Sequence, residues 1–362
     1  MSTFLYILLG ILIFGVLIIV HEGGHFMAAR LCGVKVLEFS VGMGPLIVQK
    51  ESRRGTQISL RALPIGGYCA MQGEDDVEGE SDDPASFANA ALWKKLIILA
   101  AGAAMNFLMG VVLVMLIYTQ LDAFSAPVIT GFMDGCPYES ETMLQEGDLL
   151  WRINGERIYF TSDVSTYMAR GSGDTMDIVV VRDGKKVHLE PFEMILHDYI
   201  DEETGETVQR YGLYFGEIET GFGARMKYAW YSCCDFVRLV RIGLTDLVTG
   251  QVGVNQLSGV VGIVDTIADV GNESANTYEA LLNIGYLAAL IAVNLAMMNM
   301  LPIPGLDGGH IFLLLISTVL SLIVGHKIDT RYERWINGVC LVLLFGLMFF
   351  VMYNDIVRII TG

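Results

Sequence analysis

Long apolar runs, rather than strict alternation, dominate this chain. Phe4 to Val20 is 17 residues without a charge, enough to begin a membrane span. Leu96–Leu121, Ala280–Leu301 and Trp335–Tyr353 read in the same way. The first run has no basic segment before it and passes straight into His21-Glu22 rather than a small-residue cleavage site. That predicts a retained helix and not a signal peptide. Ile311–Gly325 is apolar over only 15 residues, and is read as a partly buried helix on the cytoplasmic side. As a fifth span it would move the C-terminus across the membrane.

Between the second and third runs the pattern changes. Residues 127–195 read as a compact β-rich module. Leu149–Ile153 is a strand, and Asn154-Gly155 is the pair that a type I′ hairpin turn requires. Ser162 is placed to cap a short helix ending near Gly171. Met176–Arg182 alternates toward a strand that Asp183-Gly184 turns back into Lys186–Glu190. The expected divisions are 1–121, with two spans; 122–195, the β-rich domain; 196–279, a linker with amphipathic helix; and 280–362, with two further spans.

Composition agrees with a membrane location: 53% of the 362 residues are hydrophobic and 17% charged, with mean hydropathy +0.51. The net charge of −17 is concentrated in one place, since Asp122 to Thr220 holds 20 Asp and Glu against 7 Lys and Arg. Such a segment repels nucleic acid and anionic headgroups, so no nucleic-acid partner is expected and the lipid bilayer is the main surroundings. Lys94-Lys95 before the second run, Lys327, Arg331 and Arg334 before the fourth, and Arg30 and Lys35 after the first put those ends in the cytoplasm. The N-terminus and residues 122–279 are then extracytoplasmic. Six cysteines show no Cys-x-x-Cys spacing and are poor metal ligands.

His21-Glu22-Gly23-Gly24-His25 fits His-Glu-x-x-His. On a helix the two histidines share a face and can reach one Zn²⁺, while Glu22, one step round, can act as general base on a water. Five residues with three fixed carry little weight in a soluble helix. Directly continuing an apolar run they are expensive unless partnered, and so point to function. A catalytic zinc usually keeps three protein ligands. The candidate third ligand, Asp307, follows a stretch in which Pro302, Pro304 and Gly305 break the third apolar run. Irregular backbone at membrane depth is tolerated only where protein or a water cavity covers it. Runs one and three cross in the same direction, which brings His21, His25 and Asp307 to the same depth.

These residues resemble the site-2 proteases, intramembrane zinc metalloproteases, and among them the bacterial RseP/RasP type. The resemblance covers the whole chain. It includes His-Glu-x-x-His in the first span and Asn299-Met300-Leu301-Pro302-Ile303-Pro304-Gly305-Leu306-Asp307-Gly308 at the end of the third. Gly147-Asp148-Leu149-Leu150-Trp151-Arg152-Ile153-Asn154-Gly155 is similar to the bacterial PDZ signature, although the Ala-Gly-Leu that usually precedes it is replaced around Glu141-Thr142-Met143. The implied fold is a polytopic α-helical membrane protein of about four transmembrane helices, with an inserted extracytoplasmic β-rich PDZ domain and a membrane-associated β-loop over Ile58–Gly73. The resemblance implies His21, His25 and Asp307 as zinc ligands, Glu22 as base, and Asn294 and Asn299 in substrate binding. Ser258-Gly259-Val260-Val261-Gly262 resembles a further family stretch, with Val260 in place of proline, and acquires no role from the sequence.

The implied activity is peptide-bond hydrolysis in or near transmembrane segments of single-span proteins such as anti-sigma factors, and of remnant signal peptides. The setting is the bacterial cytoplasmic membrane, with the PDZ domain contacting substrate or partner peptides. The rival from another class is a catalytically idle PDZ scaffold with a structural zinc. Against it, a structural site has no use for an unligated Glu22. A transporter would also break its helices, but no inverted repeat is evident.

Overall fold

The computed structural model describes residues 3–74, 83–170, 175–200, 206–219, 221–253, 256–324 and 331–361. The chain divides into two compact units, Met1–Ile117 with Phe236–Gly362, and Tyr118–Asp235.

Eight helices occur among the described residues: α1 Thr3–Leu31, α2 Leu92–Tyr118, α3 Thr161–Ala169, α4 Phe222–Val248, α5 Val260–Glu273, α6 Thr277–Asn299, α7 Asp307–Val324 and α8 Arg331–Thr361. Four segments are long and apolar enough to cross a membrane: α1, α2, α6 and residues 335–361 of α8. They correspond to the four runs expected from the sequence, although α2 ends at Tyr118 and α6 at Asn299, before the expected Leu121 and Leu301; the protein is a multi-pass membrane protein. The short apolar stretch begins earlier than expected, because α7 starts at Asp307 rather than Ile311.

In the first unit, small residues set the helix contacts, as expected where lipid removes any hydrophobic drive between helices. A Cβ on Gly271 of α5 would stand 2.6 Å from the Tyr6 ring of α1, and one on Gly110 of α2 would stand 2.6 Å from Val293 of α6. The buried stripe of α1 is Tyr6, Gly10, Leu17, His21, Gly24, His25, Ala28 and Ala29, while Phe4, Leu8 and Leu12 point outward. The helix stops at Gly33, where φ is +80°. Val34 N–H donates to Ala29 C=O at 2.8 Å in a left-handed cap, and Lys94 Nζ donates to Cys32 C=O.

Beyond that cap, strands β1 (Val36–Glu51) and β2 (Gln57–Met71) each fold over on themselves. Val36–Val41 faces Gly67–Met71 on one side and Gln57–Leu60 on the other, and Leu46–Glu51 faces Gln57–Arg61. Gly67–Met71 is therefore an edge.

The stretch Ser258–Gly262, which had no role in the sequence, has one in the structure. Gly259 and Gly262 N–H both donate to Asp355 Oδ2 of α8 at 2.9 Å. The Asp355 carboxylate thereby satisfies two of the free donors at the start of α5. A Cβ on Gly262 would stand 2.7 Å from Asp355 Oδ1, so the socket requires glycine.

The second unit is built on a sheet. Strands β3 (Ala123–Phe132), β4 (Leu149–Ile153), β5 (Glu156–Arg157), β6 (Thr175–Met176), β7 (Ile178–Arg182), β8 (Lys185–His188), β9 (Phe192–Glu193), β10 (His197–Ile200), β11 (Thr207–Arg210) and β12 (Leu213–Glu219) follow in order. The main sheet runs β12-β3-β4-β7-β8, with β5 on β4. Leu150, Ile153, Ile178 and Val180 are fully buried. Asn154 and Gly155 take φ of +50° and +83°, and Asp183 and Gly184 take +52° and +75°, as two-residue hairpin turns demand.

Two details differ from the sequence reading. Ser162 lies inside α3, and the donors before the helix are satisfied by Asp163, whose Oδ2 accepts from Tyr159 and Phe160 N–H. The expected end of that helix at Gly171 lies outside the described residues. The sheet also draws its edge strand β12 from beyond residue 195, since pairing with β3 depends on register and not on proximity in sequence.

The loop before β4 is held by an ion pair to the buried Asp148. Arg182 Nε and Nη2 donate to the two Asp148 carboxylate oxygens at 2.8 and 2.7 Å, and Nη2 also reaches Met143 C=O. The Asp148 carboxylate holds Arg182 above its ordinary pKa.

Candidate metal centre

His21 and His25 lie one turn apart near the end of α1, and Asp307 opens α7. Placing Asp307 takes an unusual backbone. α6 ends at Asn299, Gly305 adopts φ of +96° against Leu341 and Leu344 of α8, and α7 restarts immediately. A Cβ on Gly308 would stand 2.4 Å from the Met300 carbonyl, and one on Gly309 2.1 Å from that of Ile303. Only glycines let the first turn of α7 press onto the broken segment, and that pressing brings Asp307 to α1.

The result is a small triangle. His21 Nε2 is 3.1 Å from Asp307 Oδ2, His25 Nε2 is 3.4 Å from the same oxygen, and the two Nε2 atoms are 3.3 Å apart. Zinc bonds of about 2.0–2.1 Å in tetrahedral geometry require ligand atoms about 3.3 Å apart, which these edges match. Asp307 Oδ2 is buried and has no hydrogen bond of its own. Three electron-pair donors thus face one point, and a cation of zinc's size fits them.

The second helix backs this triangle. His25 Nδ1 is 2.8 Å from Ile98 C=O, so it donates there and turns its Nε2 lone pair to the triangle. A Cβ on Gly24 would stand 2.4 Å from Ala101 C=O, and one on Gly102 would stand 2.4 Å from His25 Nε2 and 2.8 Å from His21 Cε1. Helices α1 and α2 therefore meet glycine to glycine, with Gly102 directly against the Nε2–Cε1 edge of the imidazoles. Asn106, fully buried, sits 3.4 Å from His21 Nδ1.

Glu22, on the next face of α1, lies against β2. Its carboxylate lies near the Cys69 backbone N–H, and a Cβ on Gly67 would stand 3.4 Å from its Cγ. The edge strand Gly67–Met71 thus borders the candidate base. Cys69 itself is pushed up to about 12, by burial first and then by the Glu22 and Glu74 carboxylates.

Of the six residues expected from the sequence, the structure brings His21, His25 and Asp307 together and sets Glu22 beside them. Asn294 is exposed and Asn299 half-buried on α6, and neither hydrogen-bonds a triangle residue. Met297 and Leu301, flanking Asn299, line an apolar groove of about 510 Å³ with Val237, Val240 and Leu244 of α4. The sequence reading passed over Gly102 and Asn106. A glycine and an amide four residues apart inside the apolar run Leu96–Leu121 were the available signal, since a buried amide in a span demands a partner.

Residues 9–347 match the family described as peptidase family M50. The chain belongs to that family, the site-2 proteases. It is similar to the regulator of sigma-W protease RasP of Bacillus subtilis, 27% identical over 96% of this chain and 97% of the relative. It is similar also to the zinc metalloprotease RasP of Bacillus licheniformis, 28% identical over 96% and 98%. A protein of Clostridium acetobutylicum that carries the name of a zinc metalloprotease is 32% identical over 98% of both chains. As an M50 peptidase this chain is a zinc metalloprotease, and the triangle behind α2 fits the metal its family uses.

Proposed function

We propose that His21, His25 and Asp307 hold the zinc, and that Glu22 is the general base for hydrolysis of peptide bonds in or near transmembrane segments of single-span proteins. The observation that carries this reading is the triangle of 3.1, 3.3 and 3.4 Å formed by two imidazoles of α1 and the carboxylate that opens α7. Zinc bound there supplies a Lewis acid that polarises the scissile carbonyl and acidifies a water. Glu22 takes the proton from the attacking water and passes it to the departing amine. The Ile98 carbonyl keeps His25 in the tautomer that leaves Nε2 free.

A transmembrane substrate hides its carbonyls in helical hydrogen bonds and must unwind before attack. The edge strand Gly67–Met71 runs beside Glu22, and an unwound segment that adds to it as a further strand would be held extended at the base. Asn294 and Asn299 supply amides to the same segment. The distribution of basic residues supports a cytoplasmic location for Lys94-Lys95 and the start of α8, and an extracytoplasmic one for the β-rich unit. In that unit the Gly147–Gly155 turn and its sheet support a PDZ domain that screens substrates by the bulk outside the membrane. RasP of Bacillus subtilis is named for regulation of sigma-W, and anti-sigma factors of single-span topology are the substrate class proposed here.

Glu22→Gln in proteoliposomes with a single-span model substrate tests the reading. Zinc is expected to remain bound while cleavage is lost. Cleavage by the variant would remove Glu22 as base.

A further inference from the structure

A histidine that gives Nε2 to a metal carries its proton on Nδ1, and that N–H needs an acceptor. His25 has one, the Ile98 carbonyl at 2.8 Å. His21 faces instead the Asn106 side chain, whose Nδ2 stands 3.4 Å from His21 Nδ1. In that orientation two donors would oppose each other. The Asn106 Oδ1, meanwhile, is buried and has no hydrogen bond at all. Both faults share one remedy. The nitrogen and oxygen of an amide are nearly interchangeable in shape, and the hydrogen-bond network decides between them. With the two exchanged, the orphaned oxygen accepts from His21 Nδ1–H.

The placement is regular. Ile98, Gly102 and Asn106 are four residues apart and so form one face of α2. That face supplies an acceptor for His25, open space for both rings, and an acceptor for His21.

We propose that Asn106 is the positioning residue of His21, accepting its Nδ1 proton through the side-chain oxygen and so aiming Nε2 at the zinc. This rests on the reading of His21, His25 and Asp307 as the ligands. Asn106 acts through His21, the triangle residue that it contacts. Its effect is on zinc affinity, and on activity only through it.

The test uses the full-length protein in lipid nanodiscs, with zinc dissociation constants measured by chelator competition and helix content by circular dichroism. Asn106→Ala is expected to weaken zinc binding about 10–100-fold at unchanged helix content. Asn106→Asp, which accepts but cannot donate once ionised, is expected to bind zinc as tightly as the wild type or more tightly. Wild-type zinc affinity in Asn106→Ala overturns the proposal. So does an Asn106→Asp as weak as Asn106→Ala, since that requires a donor or a purely structural role. If Asn106→Ala does not fold, Asn106→Asp alone decides, because retained affinity supports the acceptor and lost affinity refutes it. His21→Ala separates the two levels. A wild type that binds no zinc, or a His21→Ala that binds it normally, removes the ligand assignment and this inference with it. A normal wild type with an unaffected Asn106→Ala removes the Asn106 role alone.

Discussion

Gly102→Ala puts one methyl group against the Nε2–Cε1 edge of the two imidazoles, and its consequences can be worked out atom by atom. The added carbon would lie 2.4 Å from His25 Nε2, 2.7 Å from His25 Cε1 and 2.8 Å from His21 Cε1. Carbon atoms in ordinary contact stand about 3.5–4.0 Å apart, so the rings must withdraw by roughly 1 Å. For folding this is a small demand, because the atoms displaced are the tips of side chains that can rotate. Alanine is moreover the better helix former by about 1 kcal/mol in water. For metal binding the same movement is severe, since ligand distances hold to within about 0.2 Å and an error of about 1 Å can cost about 100-fold in rate. The expected variant is therefore folded, with zinc affinity and kcat/KM each reduced by about 100-fold or more. Chelator competition and cleavage of a single-span substrate in liposomes measure the two effects. Gly15→Ala on α1, where a Cβ meets nothing within 4 Å, serves as the control. A folded Gly102→Ala that kept wild-type zinc affinity and turnover would refute the reasoning.

Two further predictions concern the surroundings of the centre. Asp355→Ala leaves the Gly259 and Gly262 N–H groups without their shared acceptor. Hydrogen bonds to charged groups contribute about 1.5–3 kcal/mol each, so a loss of at least about 1.5 kcal/mol is expected in denaturant unfolding, and an unchanged midpoint would deny the socket any holding role. The Cys69 thiol, raised to about 12 by burial and the nearby carboxylates, is thiolate to only about one part in ten thousand at pH 8. Maleimide at pH 8 is expected to modify the half-buried Cys32 and Cys136 while sparing Cys69. Labelling of Cys69 at the same rate as Cys32 would contradict the burial argument.

The spans and the metal motif are legible in the chain because each rests on local chemistry. Seventeen apolar residues can hardly do anything but enter lipid, His21 and His25 share a helix face at their spacing, and prolines must end α6. Asn154-Gly155 and Asp183-Gly184 announce their turns because few other residues accept positive φ. What the chain could not disclose depends on which helix meets which. Nothing local tells that α2 crosses α1 at Gly24 and Gly102, that Asn106 faces His21, or that Asp355 enters the start of α5, since those contacts span 78 to 96 positions. The cap of α3 was misread for a related reason: Ser162 and Asp163 are both suitable, and only the direction of the incoming chain selects between them. His21 and His25 are neighbours by helical geometry alone. The third corner of the triangle had to be delivered by a broken helix, two glycines and the packing of the spans, and that is a decision of the tertiary structure.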